Sequence, residues 1–269
     1  DNSGFQVDCG IRVHGSDYQR PRLTPSSKFS FRLYFRNDYG PGRLKYPLFP
    51  LTTVQDFDQL VLRAGFNEQG NPFIRDELHR RLSHDMGQIA SHGNLAVVFV
   101  NGSYYASSPW YNPCERVHEE FFQSHLGGGE EWDVVRPPWS AGGGAVDGTF
   151  TDFQNLVNFI NSSTMTLQSV YSYVSRRLDL TNFVDYCLLN TYAGMGDWPQ
   201  NNWRAGREIS TNGIWRFVVW DAEWGMGIYG RSPLSINSFT LSSDGDPNSS
   251  GLANSSEIAR MFQKLRTSP

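Results

Sequence analysis

The first part of the chain alternates apolar and polar residues at every second position. Two stretches, 5–13 and 29–35, follow this period of two without interruption. Such a period is typical of a β-strand that buries one face, because successive side chains point to opposite sides. In the second stretch the period places Lys28 and Arg32 on one side of the strand. The start of the chain therefore predicts a sheet with two basic side chains on one face.

Helical spacing appears later in the chain. Apolar residues recur every four positions from Ile74 to Met86, which predicts a helix that begins near Asn71 and carries Glu77 beside its apolar stripe. Another helix is expected from Glu115 to His125. Three more are predicted at roughly 151–160, 164–178 and 181–193. The last of them has an apolar face formed by Val184, Leu188 and Tyr192.

Between these helices the sequence predicts further strands at 59–64, 95–100 and 214–220. Asn101-Gly102 is a hairpin turn signal. Strands with one helix, followed by a mostly helical half, predict the α+β class with two lobes. We expect lobes at 1–126 and 149–269, joined by a Gly- and Pro-rich loop at 127–148. The 269 residues would form one domain, cut from a longer chain because they begin without Met.

Composition excludes several classes of protein. Charged residues make up 19% and aromatic residues 14%, which is not the composition of a disordered chain. The net charge of −4 argues against a wholly basic nucleic-acid binder, and no apolar run approaches the roughly 18 residues of a membrane span.

The charge is unevenly distributed along the chain. Residues 1–50 contain eight Lys and Arg against four Asp, a net +4, which leaves −8 for the remainder. Such a split is compatible with an anion held by the basic part, with metal ions on the acidic side, although on charge alone solvated surface charge is the better explanation. Ordinary solvated surface charge would give the same count.

A carboxylate and an amide with the spacing D-x-x-x-x-N are the main chemical signal. Asp197 follows a predicted helix, Asn202 comes five residues later, and Asp221 ends an apolar strand. Phosphoryl transfer needs one carboxylate to orient the attacking hydroxyl, and an amide oxygen with a second carboxylate to hold Mg²⁺. Taken singly, each residue is also explained as a turn, cap or strand-end residue.

Several segments together resemble the CotH family of spore-coat and secreted atypical protein kinases. Residues 10–16 read G-I-R-V-H-G-S, 28–33 read K-F-S-F-R-L, 74–78 read I-R-D-E-L, 98–104 read V-F-V-N-G-S-Y and 112–116 read N-P-C-E-R. The blocks 190–202 and 215–227 resemble the paired motifs of that family that contain its acidic site residues.

The resemblance implies a bilobal protein-kinase-like fold and an ATP-dependent transfer of phosphate to a Ser/Thr-type hydroxyl of a protein. It implies that Asp197 is the catalytic carboxylate and that Asn202 and Asp221 bind Mg²⁺ or Mn²⁺. Lys28 or Arg32 would contact the phosphates of ATP, and Glu77 would pair with that base. It also implies a bacterial, secreted or spore-coat location.

Two alternatives stay open at this point. The chain lacks H-R before Asp197, D-F-G at Asp221 and a full G-x-G-x-x-G, so a noncatalytic surface or scaffold module of the same fold is one. A carbohydrate-active domain is the other, with paired carboxylates among Asp197, Asp221 and Glu223 and with nearby tryptophans as sugar platforms. The sequence assigns no role to Glu115 and Arg116.

Overall fold

The structure, a computed structural model, describes most of the chain. The residues described are 4–15, 28–65, 67, 73–105, 108–138, 144–196, 198–227 and 256–268. Helices and antiparallel sheets both occur in these ranges, so the predicted α+β class is confirmed. The chain forms two compact units: Asp1–Glu77 with Ser91–Arg116, and Leu78–Ala90 with Val117–Pro269. The predicted lobe boundaries and the kinase-like arrangement of the lobes stay predictions.

The first unit is built on a five-stranded antiparallel sheet and two short hairpins. Its strands are β1 (Gly10–His14), β2 (Ser30–Tyr34), β3 (Leu44–Lys45), β4 (Asp56–Phe57), β5 (Gln59–Arg63), β6 (Ala96–Val97), β7 (Phe99–Val100), β8 (Ser103–Tyr104) and β9 (Trp110–Glu115). The order in the main sheet is β1-β2-β5-β9-β6. A small apolar core that includes Phe35, Phe49 and Leu60 packs in this unit.

The predicted turn at Asn101-Gly102 is confirmed. β7 and β8 pair with Phe99 opposite Tyr104, and the two turn residues have φ angles of 50° and 79°. Two successive positive φ angles define the type I′ turn, whose twist matches that of the flanking strands. Asn and Gly adopt this conformation at low steric cost, which is why the local sequence sufficed to predict it.

The second unit combines a four-stranded sheet with most of the helices. Its elements are α1 (Arg75–Asp85, whose first three residues belong to the first unit), α2 (Glu119–Leu126), β10 (Trp132–Val135), β11 (Ala145–Asp147), α3 (Thr151–Ser162), α4 (Gln168–Ser175), α5 (Leu180–Tyr192), β12 (Trp203–Glu208), β13 (Arg216–Val219) and α6 (Glu257–Leu265). The sheet order is β11-β10-β12-β13.

Both faces of this second sheet are covered by apolar side chains. Alternate residues such as Phe217 and Val219 on β13 pack into the larger core with α3 and α5. The intervening Val218 packs with Phe121 and Phe122 of α2. Burial on both faces holds the β12–β13 hairpin rigidly between two layers, and this hairpin carries two of the predicted site residues at one end.

Two predicted elements were wrong. The loop expected over 127–148 contains β10 and β11, and the helix expected from Glu115 begins at Glu119 because 110–115 form β9. Pro113 makes this segment look unlike a strand. It is nevertheless accommodated: the carbonyl of Pro113 accepts from the N–H of Asn94 (2.9 Å), and the carbonyl of Asn94 accepts from the side chain of Asn112 (2.8 Å).

The predicted apolar faces of α1 and α5 were also wrong. Ile74, just before α1, and Leu78 of α1 are 42% and 39% exposed, whereas Asp76 and Glu77 are buried. On α5 the three residues predicted to be buried are exposed: Val184, Leu188 and Tyr192. Helix α1 buries polar side chains because they find charged or hydrogen-bonding partners, which apolar periodicity does not reveal. Among the described residues no helix is both long enough and apolar enough to span a membrane.

Candidate functional site

Lys28 is the most enclosed of the predicted phosphate contacts. It lies two residues before β2, its residue exposure is 5%, and its Nζ donates to the backbone oxygens of Ala64 (2.8 Å) and Trp110. The rings of Phe73 and Tyr111 each lie 4.6 Å from Nζ. The ammonium is therefore held by carbonyl dipoles and by the negative faces of two rings.

Tyr111 keeps its hydroxyl proton in this surrounding. Its phenol donates to the backbone oxygen of Phe29 at 2.7 Å. Burial, and to a smaller degree the neighbouring Tyr105, raises the pKa of Tyr111 well above its usual value of 10.0. The ring therefore stays neutral next to the ammonium of Lys28 and fixes the chain just before β2.

Glu77 is buried close to the same strand that binds Lys28. Its Oε2 accepts a hydrogen bond of 3.1 Å from Nδ2 of Asn112, which also donates to the backbone oxygen of Asn94 at 2.8 Å. Asn112 is two residues after Trp110 on β9. The predicted base and the predicted helix carboxylate thus both contact β9, Lys28 through the backbone oxygen of Trp110 and Glu77 through the side chain of Asn112.

A buried ion pair accompanies these two residues. Nε of Arg63, the last residue of β5, lies 3.0 Å from Oδ2 of Asp76 on α1, and the two side chains are 9% and 2% exposed. Arg63 stands opposite Asn112 in the β5–β9 register. We call the set of five buried residues around β9 the buried polar cluster: Lys28, Arg63, Asp76, Glu77 and Asn112.

Arg32 has different contacts from Lys28. On β2 its guanidinium donates to the hydroxyl of Tyr34 (3.1 Å) and lies 3.2 Å from Nδ1 of His14. Its Nε is buried and meets no acceptor within the described part of the chain. Arg32 therefore retains a donor for an anion, but its contacts are on β1 and β2 rather than in the buried polar cluster.

Asn202 and Asp221 lie at one end of the β12–β13 hairpin. Trp203 and Val219 are register partners, Asn202 directly precedes Trp203, and Asp221 comes two residues after Val219. Both have left-handed backbones, with φ of 57° and 58°. Asn and Asp tolerate this conformation better than other non-glycine residues, and such residues cluster at functional sites.

This pair of side chains fits a hard divalent cation. A carboxylate and an amide oxygen are ligands that Mg²⁺ prefers, and both residues are only partly buried, so water can complete the coordination. No thiol or imidazole is needed for such a set. The chemistry of the donors is therefore consistent with the predicted metal ligands.

The segment that leads to Asp197 is tied to the turn after Asp221. Gly196 donates its N–H to the backbone oxygen of Trp224 at 3.1 Å, and Met226 donates to Ala193 at 2.8 Å. Glu223, in a short 3₁₀ turn (Ala222–Trp224), is buried. The backbone directly before Asp197 is thus anchored three residues beyond Asp221.

Asp197 itself lies outside the described residues. On its other side, Trp198 is 1% exposed and its Nε1 donates to the hydroxyl of Tyr186 at 2.9 Å. Burial raises the pKa of Tyr186, which therefore remains a neutral acceptor. Both neighbours of the predicted catalytic carboxylate are thus fixed within the second unit, Gly196 to the 3₁₀ turn and Trp198 in the core.

Comparison with protein families adds an independent observation. The sequence model of the family described as CotH kinase protein matches residues 11–269, which is nearly the whole chain.

The chain belongs to the CotH kinase protein family.

A search of curated proteins finds no match to the chain. In this CotH-family chain the match includes both the buried polar cluster and the Asn202–Asp221 hairpin end. The resemblance predicted from the sequence motifs is therefore confirmed at the level of the family. The roles of the individual site residues stay predictions.

The structure also shows what Glu115 and Arg116 contact in this CotH-family chain. Glu115 is buried, and its Oε2 accepts from the backbone N–H of His92 (2.8 Å) and lies 3.1 Å from its Nδ1. Arg116 donates to Oε1 of Gln59 at 2.8 Å. These contacts connect the end of β9 to the loop before β6 and to β5, which is a structural use of both residues.

Sequence reasoning missed three members of the buried polar cluster of this CotH-family chain: Arg63, Asp76 and Asn112. A signal was present in each case. Arg63 is a charged residue at the end of an apolar strand, Asp76 directly precedes Glu77, and Asn112 opens the segment that resembles the family motif. Charged residues at such positions are buried only when they are paired.

Proposed function

We propose that this CotH-family chain is a protein kinase that transfers the γ-phosphoryl group of ATP to a Ser/Thr-type hydroxyl of a protein, with Mg²⁺ or Mn²⁺. The observation that carries the proposal is the hairpin end where Asn202 and Asp221 both adopt left-handed backbones. That end supplies the amide and the carboxylate that hold metal ions in protein kinases.

The first unit supports the same reaction. In protein kinases a strand lysine and a helix glutamate act together at the ATP phosphates. Lys28 and Glu77 are both buried and both contact β9. We propose that they serve this role, with Nε of Arg32, which meets no acceptor among the described residues, as a further phosphate donor. A β-rich N-terminal lobe and a mostly helical C-terminal lobe are part of the proposal.

The proposed steps follow from the chemistry of the residues. Asp197 orients the acceptor hydroxyl in line with the γ-phosphorus and takes its proton as the new P–O bond forms and the bond to ADP breaks. Lys28 stabilises negative charge on the phosphates, and Glu77 restrains Lys28. A divalent cation bound at Asn202 and Asp221 would neutralise the phosphate oxygens.

The carbohydrate-active alternative is less well supported. Three of the five tryptophans near the acidic motifs are almost fully buried: Trp198, Trp203 and Trp215. A sugar platform needs an exposed ring face, so these three belong to the core. A noncatalytic relative of the fold stays the main rival.

The family name also suggests association with a spore coat. We propose a secreted or surface location on that basis, with a coat or surface protein as the substrate. The basic character of residues 1–50 is consistent with ATP binding in the first unit and does not call for a nucleic-acid partner.

A labelled-phosphate assay tests the proposed function. We expect wild-type protein with [γ-³²P]ATP and Mn²⁺ or Mg²⁺ to label itself or a generic acceptor protein. Asp197→Ala and Asp221→Ala should lose nearly all labelling, while Glu130→Ala, at an exposed acidic position of the second unit, should retain it. Equal labelling by wild type and both site variants would contradict a kinase activity.

A further inference from the structure

The buried ion pair between Arg63 and Asp76 has no role in the reaction outlined above. It joins the last residue of β5 to the first turn of α1 at 3.0 Å, with the two side chains 9% and 2% exposed. Removing two charges from water is costly, so a buried pair contributes little net stability compared with apolar residues of the same volume. Its value therefore lies in fixing a specific geometry.

The position of the pair shows which geometry it fixes. Asp76 is adjacent in sequence to Glu77, and Arg63 is adjacent to Ala64, whose carbonyl accepts from Lys28. Arg63 also faces Asn112, the hydrogen-bond donor to Glu77. A displacement of α1 from β5 would thus move Glu77 relative to Lys28.

We propose that Arg63 and Asp76 are positioning residues for nucleotide binding. The pair fixes α1 to β5 and so keeps Glu77 and Lys28 at the spacing that the phosphates require. The inference rests on the proposed kinase function and adds to it an ion pair between a strand and a helix. Arg63 acts through Lys28 and Glu77 and need not contact the nucleotide itself.

Three variants distinguish a positioning role of the Arg63–Asp76 pair from a contribution to the stability of the fold alone. Arg63→Met leaves the carboxylate of Asp76 buried without this partner, and Arg63→Lys keeps a charge but loses the Nε donor. Arg63→Met/Asp76→Leu replaces both charges by apolar groups, which restores stability in other buried pairs. Arg36→Met is the matched control, because Arg36 is an exposed arginine of the same unit.

The first measurement is hydrogen exchange of the nucleotide-free protein. The amides of residues 79–82 bond to the carbonyls of the first turn of α1, so loosening of that turn exposes them. We expect Arg63→Met to speed their exchange at least about tenfold and Arg36→Met to leave it unchanged. Unchanged exchange in Arg63→Met would overturn the positioning role, whatever the wild type binds.

The second measurement is the Kd for fluorescent N-methylanthraniloyl-ATP with Mg²⁺. We expect Kd to rise about tenfold or more in Arg63→Met and in the double variant, and by less in Arg63→Lys. The double variant should nevertheless unfold at nearly the wild-type temperature. A double variant that binds as tightly as wild type would show that the pair is only structural. Absence of binding by the wild type would instead overturn the proposed function.

Discussion

Asn202 and Asp221 approach the same end of the β12–β13 hairpin from opposite directions, one entering β12 and the other leaving β13, and both have a φ angle near +57°. Asn and Asp adopt the left-handed conformation more readily than other residues with a side chain, and such residues cluster at functional sites, which is the basis for proposing both as metal ligands. Antiparallel pairing brings together two residues that are 19 positions apart in the sequence.

Replacement of Asn202 by glycine should separate the effect of the left-handed backbone from the effect of the amide side chain. Gly adopts the left-handed conformation readily, so Asn202→Gly should change the free energy of unfolding by less than about 1 kcal/mol. Loss of the amide oxygen should raise the Mg²⁺ concentration for half-maximal activity at least about tenfold. Metal titration of ATP turnover measures this. Asn202→Ala provides the comparison, because alanine adds left-handed strain of about 1–2 kcal/mol. An unaltered metal requirement in both variants would exclude Asn202 as a ligand.

Lys28→Met should raise KM for ATP about tenfold or more, because the phosphates lose a buried cation. The carbonyls of Ala64 and Trp110 also lose their donor, which should cost about 1–3 kcal/mol of stability. Initial rates at varied ATP concentration and urea unfolding measure the two effects. Lys45→Met is the control, since that side chain is 75% exposed. If KM is unchanged in Lys28→Met but raised in Arg32→Met, Arg32 is the phosphate contact instead.

The stability of the protein should fall at alkaline pH in part because of Tyr111. Burial raises its pKa in the folded state, so above pH 10 the unfolded chain loses this proton while the folded chain keeps it. The contribution of Tyr111 to the free energy of unfolding is therefore fully present below pH 10 and is lost as the pH rises above 10. When urea unfolding is measured between pH 8 and 11, the free energy of unfolding should fall less steeply with pH for Tyr111→Phe than for wild type. Tyr39→Phe, at an exposed position, should follow the wild type; identical slopes for all three proteins would refute this assignment.

Asp179 should contribute to stability through the start of α5. Its side chain caps the helix by accepting from the N–H of Asn182 (3.1 Å) and accepts from Nε of Arg216 on β13 (3.0 Å). Asp179→Ala should lower the free energy of unfolding by about 1–2 kcal/mol. Thermal or urea unfolding measures the loss. Ser256→Ala removes the cap of α6 only and should cost less than Asp179→Ala. An equal loss in both would mean that the bond to Arg216 adds nothing.

The sequence predicted those parts of the molecule that depend on local conformation. The Asn101-Gly102 turn was predictable because its φ angles select these two residues. The positions of Asn202 and Asp221 next to the ends of strands were also predictable, whereas their roles stay predictions. The α+β class followed from the change of period along the chain.

What the sequence did not show depends on contacts between distant residues. Arg63 and Asp76 are 13 positions apart, and neither looks buried until β5 and α1 are packed together. The same contact explains why the apolar stripe of α1 was assigned to the wrong face. Periodicity identifies which residues are apolar, whereas pairing decides which polar residues are buried.

The polar buried face of α1 also determines how this helix responds to denaturant. Opening of its first turn separates Asp76 and Glu77 from polar partners and exposes little hydrocarbon. The urea dependence of the free energy of opening scales with the surface that the opening exposes, so the free energy of opening this turn should be nearly independent of urea concentration. Local release of α1 would then occur through fluctuations in the native state, long before the apolar cores of either unit unfold.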